Sequence, residues 1–230
     1  EGGLQFEAAV NTGLFVTDNI DTLIHTVGGE EVEKLPRHAL TVEAWFTVGA
    51  EELPLGGIAG AQQEGPRCFK GWSLTHSRTL AGNSSTTITF TASVTANEGE
   101  LGFGSFSTLA HTVSPALPTN EWVHVAATYN RSHLSLYLNG VPSAAAAACD
   151  SPPCGAIVYP SRLSERGDCR RGSTTVTVGT FDNQMLGQSF PHVGAIRHVR
   201  LMDAPLLPWE VLDLYRSLSP SLPPLPPGVF

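Results

Sequence analysis

The chain has 230 residues, of which 41% are hydrophobic and 15% charged, with a formal net charge of −8. That length and apolar content allow one large globular domain with a sizeable core and set disorder aside. The acidic balance, with Lys34 and Lys70 as the only lysines, argues against nucleic acid or an anionic membrane surface as partner, because both call for a broad basic field.

No run approaches eighteen uninterrupted apolar residues, so no membrane insertion is expected. The chain opens at Glu1 with neither a Met nor a basic-then-apolar leader, and reads as a soluble processed product or a domain of something longer. Short strand-like runs then follow one another. LQFEAAV (4–10) and GLFVT (13–17) come first, and EEVEK (30–34) reads as a solvated loop. In 40–48, Leu40, Val42, Ala44, Phe46 and Val48 share a face opposite Thr41, Glu43, Trp45 and Thr47, the pattern of a half-buried strand. GGIAGA (56–61) and GWSLTH (71–76) are further strand candidates within or beside a region, 50–71, that otherwise reads as irregular. In 86–94, Ile88, Phe90, Ala92 and Val94 alternate with Thr87, Thr89, Thr91 and Ser93.

Residues 120–141, NEWVHVAATYNRSHLSLYLNGV, form the clearest hairpin signal. A reversal at Asn130-Arg131 sets Val123 against Leu138, Val125 against Leu136 and Ala127 against Leu134, so both apolar faces agree in one register. The same register sets His124 opposite Tyr137, with Trp122 on that face. Asn139-Gly140 supplies a second tight turn. The run Ala144–Ala148 is too short to nucleate a helix and reads as a packed loop leading into Cys149, within an irregular stretch from 144 to 174. TTVTVG (174–179) and VGAIRHVRLM (193–202) are the last strand candidates. A helix is predicted at Pro208 to Ser217, with proline in its first turn and Leu207, Val211, Leu214 and Tyr215 on one face. Beyond Leu218, SPSLPPLPPGVF is a Pro-rich tail or linker suited to an extended polyproline conformation. The expected division is a domain at 1–218 and a tail at 219–230. Many strands parted by Gly, Pro, Asn and Ser clusters, with one helix near the end, predict an all-β two-sheet antiparallel jelly-roll sandwich.

Four cysteines, Cys68, Cys149, Cys154 and Cys169, allow three pairings; Cys149 with Cys154 and Cys68 with Cys169 is favoured, since DSPP holds the middle two close together. No CxxC pair or histidine at ligand spacing supports a metal instead. Asn83-Ser84-Ser85 and Asn130-Arg131-Ser132 fit the N-glycosylation pattern, and even cysteines with two such sites point outside the cell.

Three pieces carry a family likeness. LTVEAWFTV resembles an early strand written as a hydrophobic run with E-x-W. EWVHVAATYNRSHLSLYLNGV resembles W-x-H-V-A-x-x-Y followed by L-x-L-Y-x-N-G, and VGAIRHVRLMDAPLLPWEVLDLY resembles a closing strand with a short helix. In this order over residues 4–217 the chain resembles the laminin G-like, concanavalin A-like jelly-roll domains, which include pentraxin-like modules. The resemblance implies an extracellular module that recognises glycan, sulfated polysaccharide or protein, often with calcium at its rim. The family's metal ligands do not align onto this sequence. Bottom-up candidates for calcium are Asp18, Asn19 and Asp21 in TDNID and Asp182 and Asn183 in FDNQ, hard oxygen donors that serve equally as Asx turns; no other cofactor is expected.

A glycosidase on this architecture would need two carboxylates about 5 to 9 Å apart across a cleft. No E-x-D-x-x-E run places them on one strand, and Glu98 and Glu100 flank a glycine in a turn-like setting. HExxH, GxSxG, GxxxxGK[ST] and GxGxxG are also lacking. The expectation is therefore a non-catalytic module. Its ligand-binding candidates are the aromatic face of Trp122, His124 and Tyr137, which a loop or the helix could equally cover, and Arg170 and Arg171, which with Arg162 and Arg166 suit sulfate or carboxylate unless self-paired with Glu165 and Asp168. The rival role is a structural glycoprotein of a wall, matrix or surface appendage, in which copies pack on one another. Intact mass under non-reducing conditions should show paired thiols and glycan at Asn83 and Asn130; unmodified asparagines with four free thiols would remove the secretory reading.

Overall fold

The computed structural model describes residues 4–6, 14–15, 24–27, 30–33, 35–65, 68–94, 105–159, 175–183 and 188–219. The strands are β1 Leu4–Phe6, β2 Leu14–Phe15, β3 Ile24–Val27, β4 Glu30–Glu33, β5 Leu40–Phe46, β6 Leu53–Gly65, β7 Cys68–Thr79 and β8 Ser85–Val94. They continue with β9 Ser105–Val113, β10 Val123–Tyr129, β11 His133–Leu138, β12 Val141–Ala147, β13 Thr177–Val178, β14 Thr180–Asn183, β15 Gln188–Pro191 and β16 Gly194–Met202, and the chain closes with helix α1, Pro208–Leu218. Two six-stranded sheets dominate. The first runs β1-β16-β5-β10-β11-β12 and the second β2-β13-β6-β7-β8-β9, with β3-β4 and β14-β15 as separate hairpins. All pairings between these named strands are antiparallel, which makes a jelly-roll sandwich.

The core lies between the sheets. Leu40, Val42, Ala44 and Phe46 of β5, with Val125 and Ala127 of β10, face Trp72 and Leu74 of β7 and Ile88, Phe90 and Ala92 of β8, all buried in one cluster. Each fully buried large side chain contributes about 1.5–3 kcal/mol relative to exposure, so this layer is the main source of stability.

The 120–141 hairpin forms, in a register two residues from the expected one. Val125 pairs with Leu138, Ala127 with Leu136 and Tyr129 with Leu134. A shift of two keeps every side chain on its expected face, so alternation could not tell the two registers apart. The turn decides. Asn130 Oδ1 accepts hydrogen bonds from the backbone N–H groups of Ser132 (3.0 Å) and His133 (2.8 Å), Arg131 has φ 66°, and Asn130 N–H donates to His133 O at 3.3 Å, so the reversal centres on Arg131-Ser132 rather than on Asn130-Arg131. His124 therefore does not oppose Tyr137; Ala126 does.

Other expectations need correcting. The 40–48 strand is buried on both faces: Thr41, Glu43 and Thr47 are as buried as Phe46, because β5 is central and its outer side is covered. Residues 50–71 are not irregular. Leu53–Gly65 and the residues from Cys68 onward belong to the long β6–β7 hairpin, whose Gly-rich sequence hides the strand pattern. Ala144–Ala147 lie in edge strand β12, where pairing with β11 satisfies their backbone and overrides helix propensity. Glu30–Glu33 is a strand paired with Ile24–Val27 rather than a loop, and β9, β14 and β15 carried no clean alternation to reveal them. Helix α1 is where expected, yet Leu207 is its N-cap residue and is 54% exposed, outside the packed face. Residues 220–230 of the tail lie outside the described residues.

Cys149 and Cys154 are joined by a disulfide, and their loop docks on the β10–β11 turn. Arg131 Nε donates to Cys154 O at 3.2 Å, and Tyr129 Oη donates to Gly155 O at 2.6 Å. Cys169 lies outside the described residues.

Gly71 and Gly82 both hold positive φ, at 84° and 67°. A Cβ on Gly71 would sit 1.6 Å from Ala61 O, whereas one on Gly82 would meet nothing within 4 Å. Gly82→Ala should cost about 1–2 kcal/mol, the left-handed backbone penalty alone, and Gly71→Ala clearly more. Urea denaturation of both variants checks this; equal losses would contradict the close approach.

Candidate functional site

The two sheets treat their outer faces differently. On the first sheet, Trp45 and Glu43 of β5 and His124 and Ala126 of β10 point away from the core, and α1 lies over them. Trp45 stacks on Tyr215 of α1 at 5.5 Å between ring centroids and 14° between planes. His124 meets both rings, at 5.3 and 5.9 Å. Val211 of α1 is buried against Ala126 and Tyr137. The segment leading into the helix is pinned to β5, where Thr41 Oγ1 donates to Ala204 O at 2.5 Å and accepts from Leu206 N at 2.9 Å.

Beneath this cover lies a buried polar group. Glu43, with no exposed surface, hydrogen-bonds His124 Nε2 at 3.1 Å through Oε2 and receives Arg200 Nε on Oε1. A bulge in β16 makes that possible. Arg197 pairs with Trp45 and Arg200 with Glu43, so His198 and Val199 stand together against Ala44, with His198 at φ 51°. Residues three apart on a regular strand face opposite ways; the bulge turns both arginines outward. Arg197 then lies 3.7 Å from the ring centroid of Trp122, a cation–π contact.

These contacts settle where the predicted aromatic face sits. His124 and Tyr137 are buried, at 0% and 5% exposure, and Trp122 is half-buried under Arg197. His124 and Tyr137 anchor the helix, so a sugar ring has no access to either. The reason is tertiary: His124 lies 79 positions after Trp45 and 84 before the start of α1, and only the fold superposes them.

On the second sheet, among the described residues, the outer face is buried at β7 and becomes exposed toward β9. Opposite the core residues Trp72, Leu74, Ile88 and Phe90, β7 presents Ser73, Thr75 and Ser77, β8 presents Thr87, Thr89 and Thr91, and β9 presents Thr108, Ala110 and Thr112. Cross-strand hydroxyl pairs knit the surface: Thr87 with Thr112 at 2.9 Å and Thr91 with Thr108 at 3.3 Å. One side of the face has a wall. A Cβ on Gly57, which pairs with Thr75, would fall 2.0 Å from Phe181 N, so β14 crosses directly over β6 there. Exposure then rises across the sheet, from Ser73 and Thr75 at 4% and 6% to the exposed Thr108, Ala110 and Thr112. The wall is the β14–β15 hairpin, where Phe181 and Phe190 pair across the strands with rings 5.9 Å apart.

That hairpin carries Asp182 and Asn183, which pair with Ser189 and Gln188. They stand in a strand beside the open face, not in a free loop. Asp18, Asp21, Arg170 and Arg171 lie outside the described residues, among which no group of three metal-ligating side chains occurs. Asn83 and Asn130 are exposed, each at a turn. The hydroxyl face was partly legible: Thr87, Thr89 and Thr91 alternate visibly. Thr108 and Thr112 were missed because SFSTLAHTV lacks a regular apolar period.

Comparison with known proteins fits this geometry. A model of the Laminin_G_3 family, in the concanavalin A-like lectin/glucanases superfamily, matches residues 26–156, more than half of the chain. The chain belongs to this Laminin_G_3 family. No curated protein sequence matches it significantly. Among solved structures it is similar to the Ruminococcus gnavus IT-sialidase CBM40 bound to alpha2,3 sialyllactose, at 13% identity and TM-score 0.55, covering 93% of this chain and 95% of that one. It is also similar to the native heptameric SAP-like pentraxin from Limulus polyphemus, at 13% identity and TM-score 0.48, over 79% and 71% of the two chains. Identities this low speak to fold alone. This Laminin_G_3 chain thus has a concanavalin A-like sandwich in which, among the described residues, one sheet face is sealed by α1 and the other is exposed toward β9.

The base of the hairpin wall is held by a buried histidine pair. His76 of β7 and His192, between β15 and β16, meet at 2.8 Å, Nε2 to Nδ1, with Phe46 against both rings. His192 N also donates to Gly179 O at 2.9 Å. Burial, reinforced by the nearby Arg78, pushes His76 down to about 4. Burial, with His76 as neighbour, also holds His192 well below the usual imidazole range. Both are neutral in the native state near pH 7, whereas unfolding frees them to titrate near 6.5. Their stabilisation is complete above about pH 6.5 and is lost as pH falls toward 4, by about 3 kcal/mol for His76 alone. Urea midpoints measured from pH 7.5 to 4 should fall over that window, and His76→Gln should flatten the curve; identical curves for both proteins would contradict the pair's role.

Proposed function

We propose that this chain is an extracellular, non-catalytic recognition module that binds a glycan on the hydroxyl face of β7, β8 and β9. The observation that carries the reading is the asymmetry of the outer faces. The helix closes one, whereas the other presents a row of side-chain hydroxyls beside the β14–β15 hairpin. Hydroxyls are donors and acceptors at once, which suits the hydroxyl pattern of a sugar, and rigid strands fix them with little entropy to lose on binding.

Several features support the wider reading. The glycan-bound Ruminococcus gnavus CBM40 shares the fold over nearly its whole length. The disulfide and the two exposed N-x-S asparagines suit an oxidising, secretory route. No helix among the described residues is long and apolar enough to cross a membrane. The one buried carboxylate on the first sheet, Glu43, is committed to His124 and Arg200 beneath the helix, which suits a structural role better than general acid–base work. Asp182 and Asn183, on the hairpin, are the residues proposed to take calcium at the rim.

A glycan array run with calcium and with chelator tests the reading. Specific binding is expected, and replacing Thr89 and Thr112 together by the near-isosteric Val should weaken it about tenfold or more while leaving the thermal melt in place, since each lost hydrogen bond is worth about 0.5–1.5 kcal/mol. Binding that survives the double substitution would move the site elsewhere. Silence across the array would overturn the glycan reading, and product release from a polysaccharide panel would overturn the non-catalytic one.

A further inference from the structure

Four strands end the two large sheets: β1 and β12 in the first, β2 and β9 in the second. An edge strand offers a row of free N–H and C=O groups to any other strand, and natural sheets blunt it by shortness, proline, a bulge or charge. Among the described residues β1 has three residues and β2 two. β12 carries Pro142, which has no N–H to give, and its pairing with β11 slips between Leu136 and Tyr137. β9 is neither short nor bulged; near one end Ser107 Oγ donates to Ala148 O of the loop before the disulfide, while Thr108, Ala110 and Thr112 stay exposed. Its nine residues pair with β8 without a slip from Thr86–Val113 to Val94–Ser105. The sequence SFSTLAHTV contains no proline and no Asp, Glu, Lys or Arg. Among the described residues no strand pairs with its other side.

We infer that β9 is the docking edge for a second copy of this chain, which joins the two second sheets by antiparallel β9–β9 pairing. The strand is self-complementary. A two-fold axis through Ala110 sets Thr108 against the partner's Thr112 and the two small Ala110 side chains against each other. The threonine pairs so formed repeat those already present between β8 and β9. Charge favours a copy at this edge over other approaches. With a formal net charge of −8, two chains repel over most of their surface, and a nine-residue strand without an ionised carboxylate is where they meet at least cost. Pairing also runs the hydroxyl face continuously from one copy to the next. One strand pair is small for a protein interface, so association is weak and depends on concentration. The inference stands on the edge itself and does not need the glycan reading.

Sedimentation equilibrium of the full chain over a wide concentration range tests it. The mass should rise from that of the monomer, 24.4 kDa for the polypeptide, toward twice that value. Ala110→Lys, at an exposed position, puts two ammonium groups together on the axis and should weaken association about tenfold or more with an unchanged melt, because like charges directly opposite one another destabilise a strand pair. Trp209→Ser removes the most exposed large apolar side chain among the described residues, 60% exposed on α1, and should leave association intact. Amides of Ser105–Val113 should exchange more slowly as concentration rises. A chain that stays monomeric throughout would overturn the inference. So would an Ala110→Lys variant that associates like the parent, or loss of association with Trp209→Ser, or β9 exchange that ignores concentration.

Discussion

Contact between two apolar faces, Phe46, Ala44 and Val125 on one side and Leu74, Ile88 and Phe90 on the other, is the constraint from which the rest of this sandwich follows. Strand side chains alternate, so each residue committed to that layer commits its neighbours to the outside. The outside of β5 and β10 thereby receives Glu43, Trp45 and His124, and the outside of β7, β8 and β9 receives serines and threonines. Large aromatic and charged groups need cover and partners; small hydroxyls do not. The helix therefore has a place on the first sheet and none on the second.

The Glu43 group shows how a buried charge is accommodated. An isolated carboxylate in that position would cost several kcal/mol, and the structure meets the cost with His124, with Arg200 brought round by the β16 bulge, and with aromatic rings that exclude water. Such a group is weak evidence for extra stability. Its value lies in register: only one placement of β16 against β5 brings Arg200 to Glu43 while Arg197 reaches Trp122. The histidine pair has a similar place at the other end, linking β7 to the joint before β16, so that the hairpin beside the open face is tied to the core. The site's wall and the site's floor are held by different means, a buried polar contact for one and a strand ladder for the other.

Much of the fold was legible in the residues. The alternation in 40–48, 86–94 and 123–138 marks the central strands, and Pro208 with its apolar stripe marks the helix. Where the sequence misled, the physics is specific. Glycines in β6 and alanines in β12 lack the side chains that make alternation visible, yet their backbones are fully suited to pairing. The register of β10 on β11 escaped because a two-residue shift leaves every face unchanged, and the choice fell to Asn130 capping its own turn.

By itself, the amino-acid order determined which residues face inward on the central strands, that the chain is an antiparallel sandwich of laminin G-like kind, and that Cys149 and Cys154 lie near enough to join. These are local properties, carried by period and short spacing. Only the tertiary structure decided which outer face the helix seals, that Trp45, His124 and Tyr215 form one cluster, and that β9 ends its sheet among the described residues. Those outcomes depend on elements tens of residues apart meeting in space, and no one-dimensional pattern records which strand ends a sheet or where a helix comes to rest.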